Sequence, residues 1–275
     1  MNQQATRDQI AVATDYQNIL VPALFTAWPP RVADAAQIRS GQRVLDVACG
    51  TGILTREIFR RAGNNGDVYG LDLDPGMLSI AADLEPEITW QSGNAESLPY
   101  ENQYFDAVTC HFGLMFFTDR VEAIREMLRV LKPGGNLAVI VWASLPDIPA
   151  YARLVSLIEH FANTSAADIL RRPFCLGNSH ELMALFHEAG VASIQLASQC
   201  GQAHFPSIQT MMDIELRTKS WMPFNQYVDD HLSATQEKQI REAAEQALAE
   251  YCDTQGTVTF NTAALTVTGN NTLNH

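Results

Sequence analysis

The chain has 275 residues, 47% hydrophobic and 18% charged, the balance of a globular protein long enough to bury a substantial core. Its 18 Lys and Arg against 31 Asp and Glu give a formal net charge of −13, which argues against nucleic acid or an anionic membrane as the main partner, since both need a basic face. Five widely spaced cysteines without a CxxC pair, a polar N-terminus and no apolar run of membrane-spanning length point to reduced thiols, no zinc site and a soluble, cytoplasmic protein without membrane insertion.

Residues 12–28 carry apolar groups at helical spacing, at Tyr16, Leu20, Ala23, Leu24 and Trp28, with a kink expected at Pro22 and a stop at Pro29-Pro30. A short helix over about 31–38 leads to the Ser40-Gly41 turn. Strands follow at Arg43–Val47, Val68–Asp72, Ile88–Gln91, Phe105–Cys110 and Leu137–Trp142, separated by helices over 53–62, 75–84 and 119–131. Short, mostly apolar strands alternating with helices indicate a parallel, doubly wound α/β sheet covered on both faces. The second half predicts a helix over 151–171, another from Asn178 to Gly190 with Glu181 completing a capping box, and a strand over Val191–Leu196. Residues 207–251 read as a mostly helical insertion and Val258–Val267 as a last, antiparallel strand.

The informative stretch is Val44–Gly52, VLDVACGTG. It closes the first strand at its carboxyl end, where open parallel sheets bind ligands, and its glycines let backbone approach a ligand closely. Asp46 lies within the strand. Asp72 stands 20 residues after Gly52, at the end of strand two, where a carboxylate can accept hydrogen bonds from a ribose diol. A dinucleotide-binding GxGxxG would need a third glycine where this chain has Thr55, which disfavours an NAD(P)-dependent oxidoreductase.

The same stretch resembles the first motif of class I S-adenosylmethionine-dependent methyltransferases, with Ala48 where glycine is usual. The resemblance continues in order across residues 42–143. Leu71–Leu78, LDLDPGML, is similar to the second motif, and Gly93–Tyr100, GNAESLPY, to GDAExLPF, with Asn94 in place of aspartate. Phe105–Val108 resembles the fourth strand and Arg129–Gly135, RVLKPGG, the turn before the fifth. The N-terminal helix with Tyr16, the unit from Pro173 to Gly190 and the helices after residue 206 resemble the branch that holds ubiquinone/menaquinone-type and small-molecule methyltransferases.

The resemblance implies a Rossmann-like seven-stranded, mostly parallel sheet with an antiparallel last strand, as a single domain over 1–275. Residues 1–40 would be a helical cover, 41–145 the cofactor-binding core, 146–206 completing helices and a strand, 207–255 a helical lid and 256–268 the last strand. It implies methyl transfer from S-adenosyl-L-methionine to a small organic acceptor at O, C or N, an acceptor expected to be apolar or aromatic. A protein that binds this cofactor without turnover, or uses it for non-methyl chemistry, is the alternative. Carried over by position, Asp46, Ala48 and Gly50 would line the methionine end. Asp72 would clamp the ribose hydroxyls, Leu73 pack on adenine, and Asn94 and Ala95 meet its edge. Gly52, Met77 and Cys110 complete the cofactor set, and Tyr16 either reaches the cofactor carboxylate or is a core tyrosine.

Alignment of nucleophile, methyl carbon and sulfur can supply up to ~7–11 kcal/mol of acceleration, and a base is needed only if the acceptor must lose a proton. His111 is the candidate base, since a histidine near its ordinary pKa of ~6.5 suits proton abstraction at neutrality; the plainer reading is a group that orients or packs on the cofactor. His111, Phe112 and Met115, with Trp221 and Phe224 of the insertion, are candidate acceptor-binding residues. The run Leu114–Phe117 reads as pocket wall or core, and the insertion as lid, docking layer or dimer face. Cys49 reads as a small core hydrophobe. The carboxylates show no metal-ligand spacing, so no metal is expected, and monomer and homodimer both stay open.

Overall fold

A computed structural model of the chain describes residues 5–216 and 232–271. Its strands are β1 Arg43–Val47, β2 Asp67–Asp72, β3 Thr89–Ser92, β4 Phe105–His111, β5 Leu131–Trp142, β6 Ala192–Phe205 and β7 Val258–Asn270. They form one sheet in the order β3-β2-β1-β4-β5-β7-β6. The β1–β2, β2–β3, β1–β4 and β4–β5 pairs are parallel, and β7 runs antiparallel to both β5 and β6. The expected doubly wound sheet with an antiparallel last strand is therefore the one observed. Its order reverses between β1 and β4, and the loops leaving their carboxyl ends part to open a crevice.

The helices are α1 Arg7–Asp15, α2 Pro29–Ala35, α3 Ile53–Ala62, α4 Pro75–Leu84, α5 Arg120–Val130, α6 Pro149–Phe161, α7 Thr164–Arg171, α8 Ser179–Ala189, α9 Ile208–Leu216 and α10 Ala234–Ala247. Two that border the crevice start on aspartate caps. Asp74 accepts from the Gly76 N–H at 2.7 Å, with Pro75 in the first turn, and Asp119 accepts from the Glu122 N–H at 2.9 Å.

Several elements depart from expectation for identifiable reasons. The N-terminal helix starts earlier, at Arg7, capped by Thr6 in a capping box, and continues through Tyr16–Phe25 as a π-helix that contains Pro22. Wider π-turns concentrate at functional sites. Pro29 and Pro30 open α2 instead of only ending the helix before them, because proline's missing N–H costs nothing in a first turn. The expected helix over 151–171 is two, divided where Asn163 accepts from the Ala166 N–H and starts α7. β6 reaches Phe205 instead of Leu196. It is an edge strand whose Gln195, Ser198, Gln199 and Gln202 carry little apolar signal, and β7 defines it by pairing along its length. The insertion supplies α9 and α10; Trp221 and Phe224 lie outside the described residues.

Trp28 is fully buried and donates its indole N–H to the Leu24 carbonyl at 3.0 Å. A side chain on Gly201 of β6 would come within 2.5 Å of its ring, so that glycine makes room for it. Trp28 packs edge-on against Phe112 and Trp142, each 5.8 Å between centroids, and so props up the rings above β4 and β5. Among the described residues no helix is long and apolar enough to cross a membrane.

Candidate functional site

The crevice at the carboxyl ends of β1, β2 and β4 holds a cavity of about 250 Å³. One end is made of backbone turns and acids. After β1 the chain passes through Ala48 at φ 55° and Gly50 at φ 56°. Left-handed backbone costs an L-residue roughly 1–2 kcal/mol, so Ala48 carries strain at the cavity wall, where a glycine would carry none. Asp72 ties this turn to β2. Its carboxylate accepts from the Gly50 N–H at 2.8 Å and the Asp74 N–H at 2.9 Å, and burial pushes its pKa up to about 6. Leu73 beside it is 65% exposed, an apolar side chain presented to the cavity instead of the core.

Asn94 and Ala95 face the same end, together with Met77. Asn94 Oδ1 accepts from the Glu96 N–H at 3.0 Å and shapes its own turn. Glu96 in turn accepts from the Thr118 and Asp119 N–H groups, which fixes this loop to the start of α5. Tyr16 enters from the π-helix. A Cβ on Gly50 would lie 3.9 Å from its ring and hydroxyl, so the tyrosine covers the glycine turn.

Four residues expected at the cofactor or acceptor do not line the cavity. Asp46 is buried beneath it, pushed up to about 7 by desolvation, and its carboxylate accepts from Thr55 Oγ1 at 2.6 Å and Thr109 Oγ1 at 2.9 Å. Thr109 is its cross-strand partner on β4, and Thr55 is the residue that stands where a dinucleotide fold needs glycine. Asp46 thus locks β1, β4 and α3 together under the turn. Gly52 at φ 82° caps α3, and a Cβ there would come within 2.4 Å of the Trp90 ring; its small size serves packing. Cys110 is fully buried, its thiol pushed up to about 12, and lies 3.1 Å from where a Gly113 Cβ would sit. Met115 is 1% exposed and turned into the core, so of the Leu114–Phe117 run only Phe116 and Phe117 reach the cavity.

The other end is aromatic. Phe25, His111, Phe112 and Trp142 converge there. Phe112 and Trp142 stack at 4.0 Å, and Phe25 lies 5.8 Å from His111 and 5.9 Å from Trp142. Phe112 holds φ 53°, an uncommon conformation for a bulky residue, with its N–H donated to the Ile140 carbonyl at 3.0 Å. His111 lines the cavity, as expected, but not as a group that titrates near neutrality. Its Nε2 has no hydrogen-bond partner in the protein, and burial among rings pulls its pKa down to about 3. It is a neutral imidazole at physiological pH and too weak a base for the role expected of it. Phe25, Trp142 and Glu96 were missed. Trp142 carried a signal, as the last residue of a strand at the sheet's carboxyl edge; Phe25 carried none beyond its helical phase.

Residues 6–159 match the model of the ubiE/COQ5 methyltransferase family. The chain is similar to the ubiquinone/menaquinone biosynthesis C-methyltransferase UbiE of Proteus mirabilis, 38% identical over 48% of this chain and 55% of that protein. It is also similar to the demethylmenaquinone methyltransferase of Staphylococcus carnosus, 32% identical over 69% of this chain and 86% of the relative. Against UbiE proteins such as the first of these, the chain spans about half their length. In fold it is similar to the YcgJ protein of Bacillus subtilis, with a TM-score of 0.57 and 21% identity over 90% of this chain and 98% of that one. Phosphoethanolamine N-methyltransferase 2 of Haemonchus contortus, solved with S-adenosyl-L-methionine, superposes with a TM-score of 0.56 and 16% identity over 96% and 57%.

Proposed function

The chain belongs to the ubiE/COQ5 methyltransferase family, and on that premise we propose that it transfers a methyl group from S-adenosylmethionine to a small organic acceptor held at the aromatic end of the cavity. The observation that carries this reading is the charge of the lining. Asp72, Asp74 and Glu96 face the cavity, and no Lys or Arg is among the described residues that do. A pyrophosphate-bearing dinucleotide would meet acids with no cation to offset them, whereas a cofactor with an ammonium and a sulfonium finds complementary charge. The UbiE relatives and the Haemonchus enzyme, named as methyltransferases, support the same cofactor.

The residues present fit that cofactor. Asp72 would accept from the ribose hydroxyls, and the exposed Leu73 with Met77 would pack on the adenine. Asn94 and Ala95 would meet its edge, and the Ala48–Gly50 turn under Tyr16 would take the amino-acid end. Bound there, the cofactor supplies an electrophilic methyl on a sulfonium. This chain's own part is alignment: Phe25, Phe112 and Trp142 hold an acceptor against His111 and keep water from the reacting face. A neutral, unpartnered His111 can orient an acceptor through Nε2 without taking its proton.

The test is calorimetric titration with S-adenosylmethionine, S-adenosylhomocysteine and NADP. Binding of the first two and silence with the third is expected. Asp72→Ala should weaken both by about a hundredfold, because it deletes charge-assisted hydrogen bonds worth roughly 1.5–3 kcal/mol each. Tight NADP binding, or an Asp72→Ala variant with unchanged affinity, would overturn the reading.

A further inference from the structure

The loop after β3 carries an acid to which no part in cofactor binding has yet been given. Glu96 is partly buried and lines the main cavity with Asn94, Ala95 and Thr118. Its Oε1 accepts from the Thr118 N–H at 2.8 Å and the Asp119 N–H at 3.1 Å, at the start of α5. Its Oε2 takes no hydrogen bond from any described residue. The loop itself is tied down on both sides of Glu96. The Gly93 N–H donates to the Asp72 carbonyl at 3.0 Å, the Leu98 N–H to Glu126 Oε2 at 2.7 Å, and Arg129 to the Leu98 carbonyl at 2.9 Å. A carboxylate fixed at one oxygen by two N–H groups presents its other oxygen in one direction, so little freedom is lost when a ligand takes it. Asn94, by contrast, has its side-chain oxygen turned to the Glu96 N–H at 3.0 Å, inside its own turn. The other acids on the cavity stand at the end of β2 and just after it, where Asp72 holds two N–H groups and Asp74 caps α4.

We propose that Glu96 Oε2 accepts from the exocyclic amine of the cofactor's adenine, so that residue 96 and not residue 94 selects this ring. The inference rests on the methyltransferase reading, which puts S-adenosylmethionine in this cavity with its adenine beside Asn94 and Ala95. An exocyclic amine offers N–H donors and a carboxylate offers only acceptors, so the two are complementary and the bond is charge-assisted. The amide of Asn94 is engaged in shaping the turn that aims Glu96. Glu96 then has one task for each oxygen: Oε1 fixes the loop to α5, and Oε2 discriminates adenine from a purine without the amine.

The experiment is calorimetric titration of the full chain at pH 8 with S-adenosylhomocysteine and with its analogue carrying unsubstituted purine in place of adenine. The wild type should bind S-adenosylhomocysteine about thirtyfold more tightly. Glu96→Gln keeps the shape but has a single oxygen for both sets of donors. It should bring that ratio to within about threefold, with the loss falling on S-adenosylhomocysteine and the purine analogue held within about threefold of its wild-type affinity. A residue that only fastened the loop would weaken both ligands alike and leave the ratio unmoved. Asn94→Ala loosens the turn and should weaken both ligands together with the ratio kept. A wild-type ratio below about threefold, a ratio unmoved in Glu96→Gln, or a ratio that collapses in Asn94→Ala instead overturns the inference alone. A wild type that binds neither ligand overturns the methyltransferase reading, and the inference with it.

Discussion

At one end of the cavity the wall is backbone and acid. Two N–H groups converge on Asp72, and Ala48 and Gly50 hold left-handed turns over a buried Asp46 that bridges two threonines. At the other end the wall is rings. Phe25, Phe112 and Trp142 arrive from a π-helix, a strand end and a second strand end, and Trp28 supports them from behind. The first end is assembled by directional hydrogen bonds among neighbouring loops, so each residue has one geometry. The second is assembled by packing, which is roughly proportional to buried area and tolerates other apolar residues of similar size. A family can therefore keep the first end while changing what the second end admits.

Four substitutions break or sharpen that contrast. The largest effect is expected at the turn. Gly52→Ala would place a Cβ 2.4 Å from Trp90 at φ 82°, and should cost about 3 kcal/mol of stability in denaturant unfolding, although Gly52 does not touch the cavity. A loss below about 1 kcal/mol would mean the Trp90 ring moves freely and the turn is less rigid than its hydrogen bonds suggest.

Next come two buried titratable groups with opposite signs. His111 is held neutral, its folded pKa below its unfolded one, so the native state loses stability as pH falls through 6.5. Glu215 is pushed up to about 7, so the native state loses stability as pH rises from about 4.5 to 7. Between pH 5 and 7 each contributes about 2 kcal/mol in opposite directions. His111→Phe should gain on the wild type as pH falls, and Glu215→Gln should gain as pH rises, in melts across that range. Turnover of His111→Phe should drop by less than about tenfold; a fall of a hundredfold or more would return it to the role of base. The smallest effect is Ala48→Gly, which should relieve backbone strain and stabilise by up to about 1 kcal/mol.

Much of the acid-lined end was legible because its residues lie in short contiguous motifs. Ala48, Gly50, Asp72, Leu73, Asn94 and Ala95 each end or follow a strand, and the topology brings strand ends together. Position alone did not tell a residue that faces the cavity from one that faces away. Asp46 and Gly52 sit within the same motifs, and Cys110 near the end of β4, but all three serve the packing beneath. The aromatic end was poorly legible, since Met115 and Phe116 are adjacent and point to opposite environments, and Phe25 meets Trp142 from 117 residues away.

What the amino-acid order determined by itself is the alternation of strands and helices, the glycine turn after β1 and the carboxylate at the end of β2. These depend on local periodicity and on conformations few residues can adopt. Tertiary structure alone decided which way each side chain turns, how far β6 extends along β7, and that burial takes the proton affinity from His111 while raising it at Asp46 and Glu215. Desolvation depends on everything packed around a group, and residues far apart in the chain supply most of that packing.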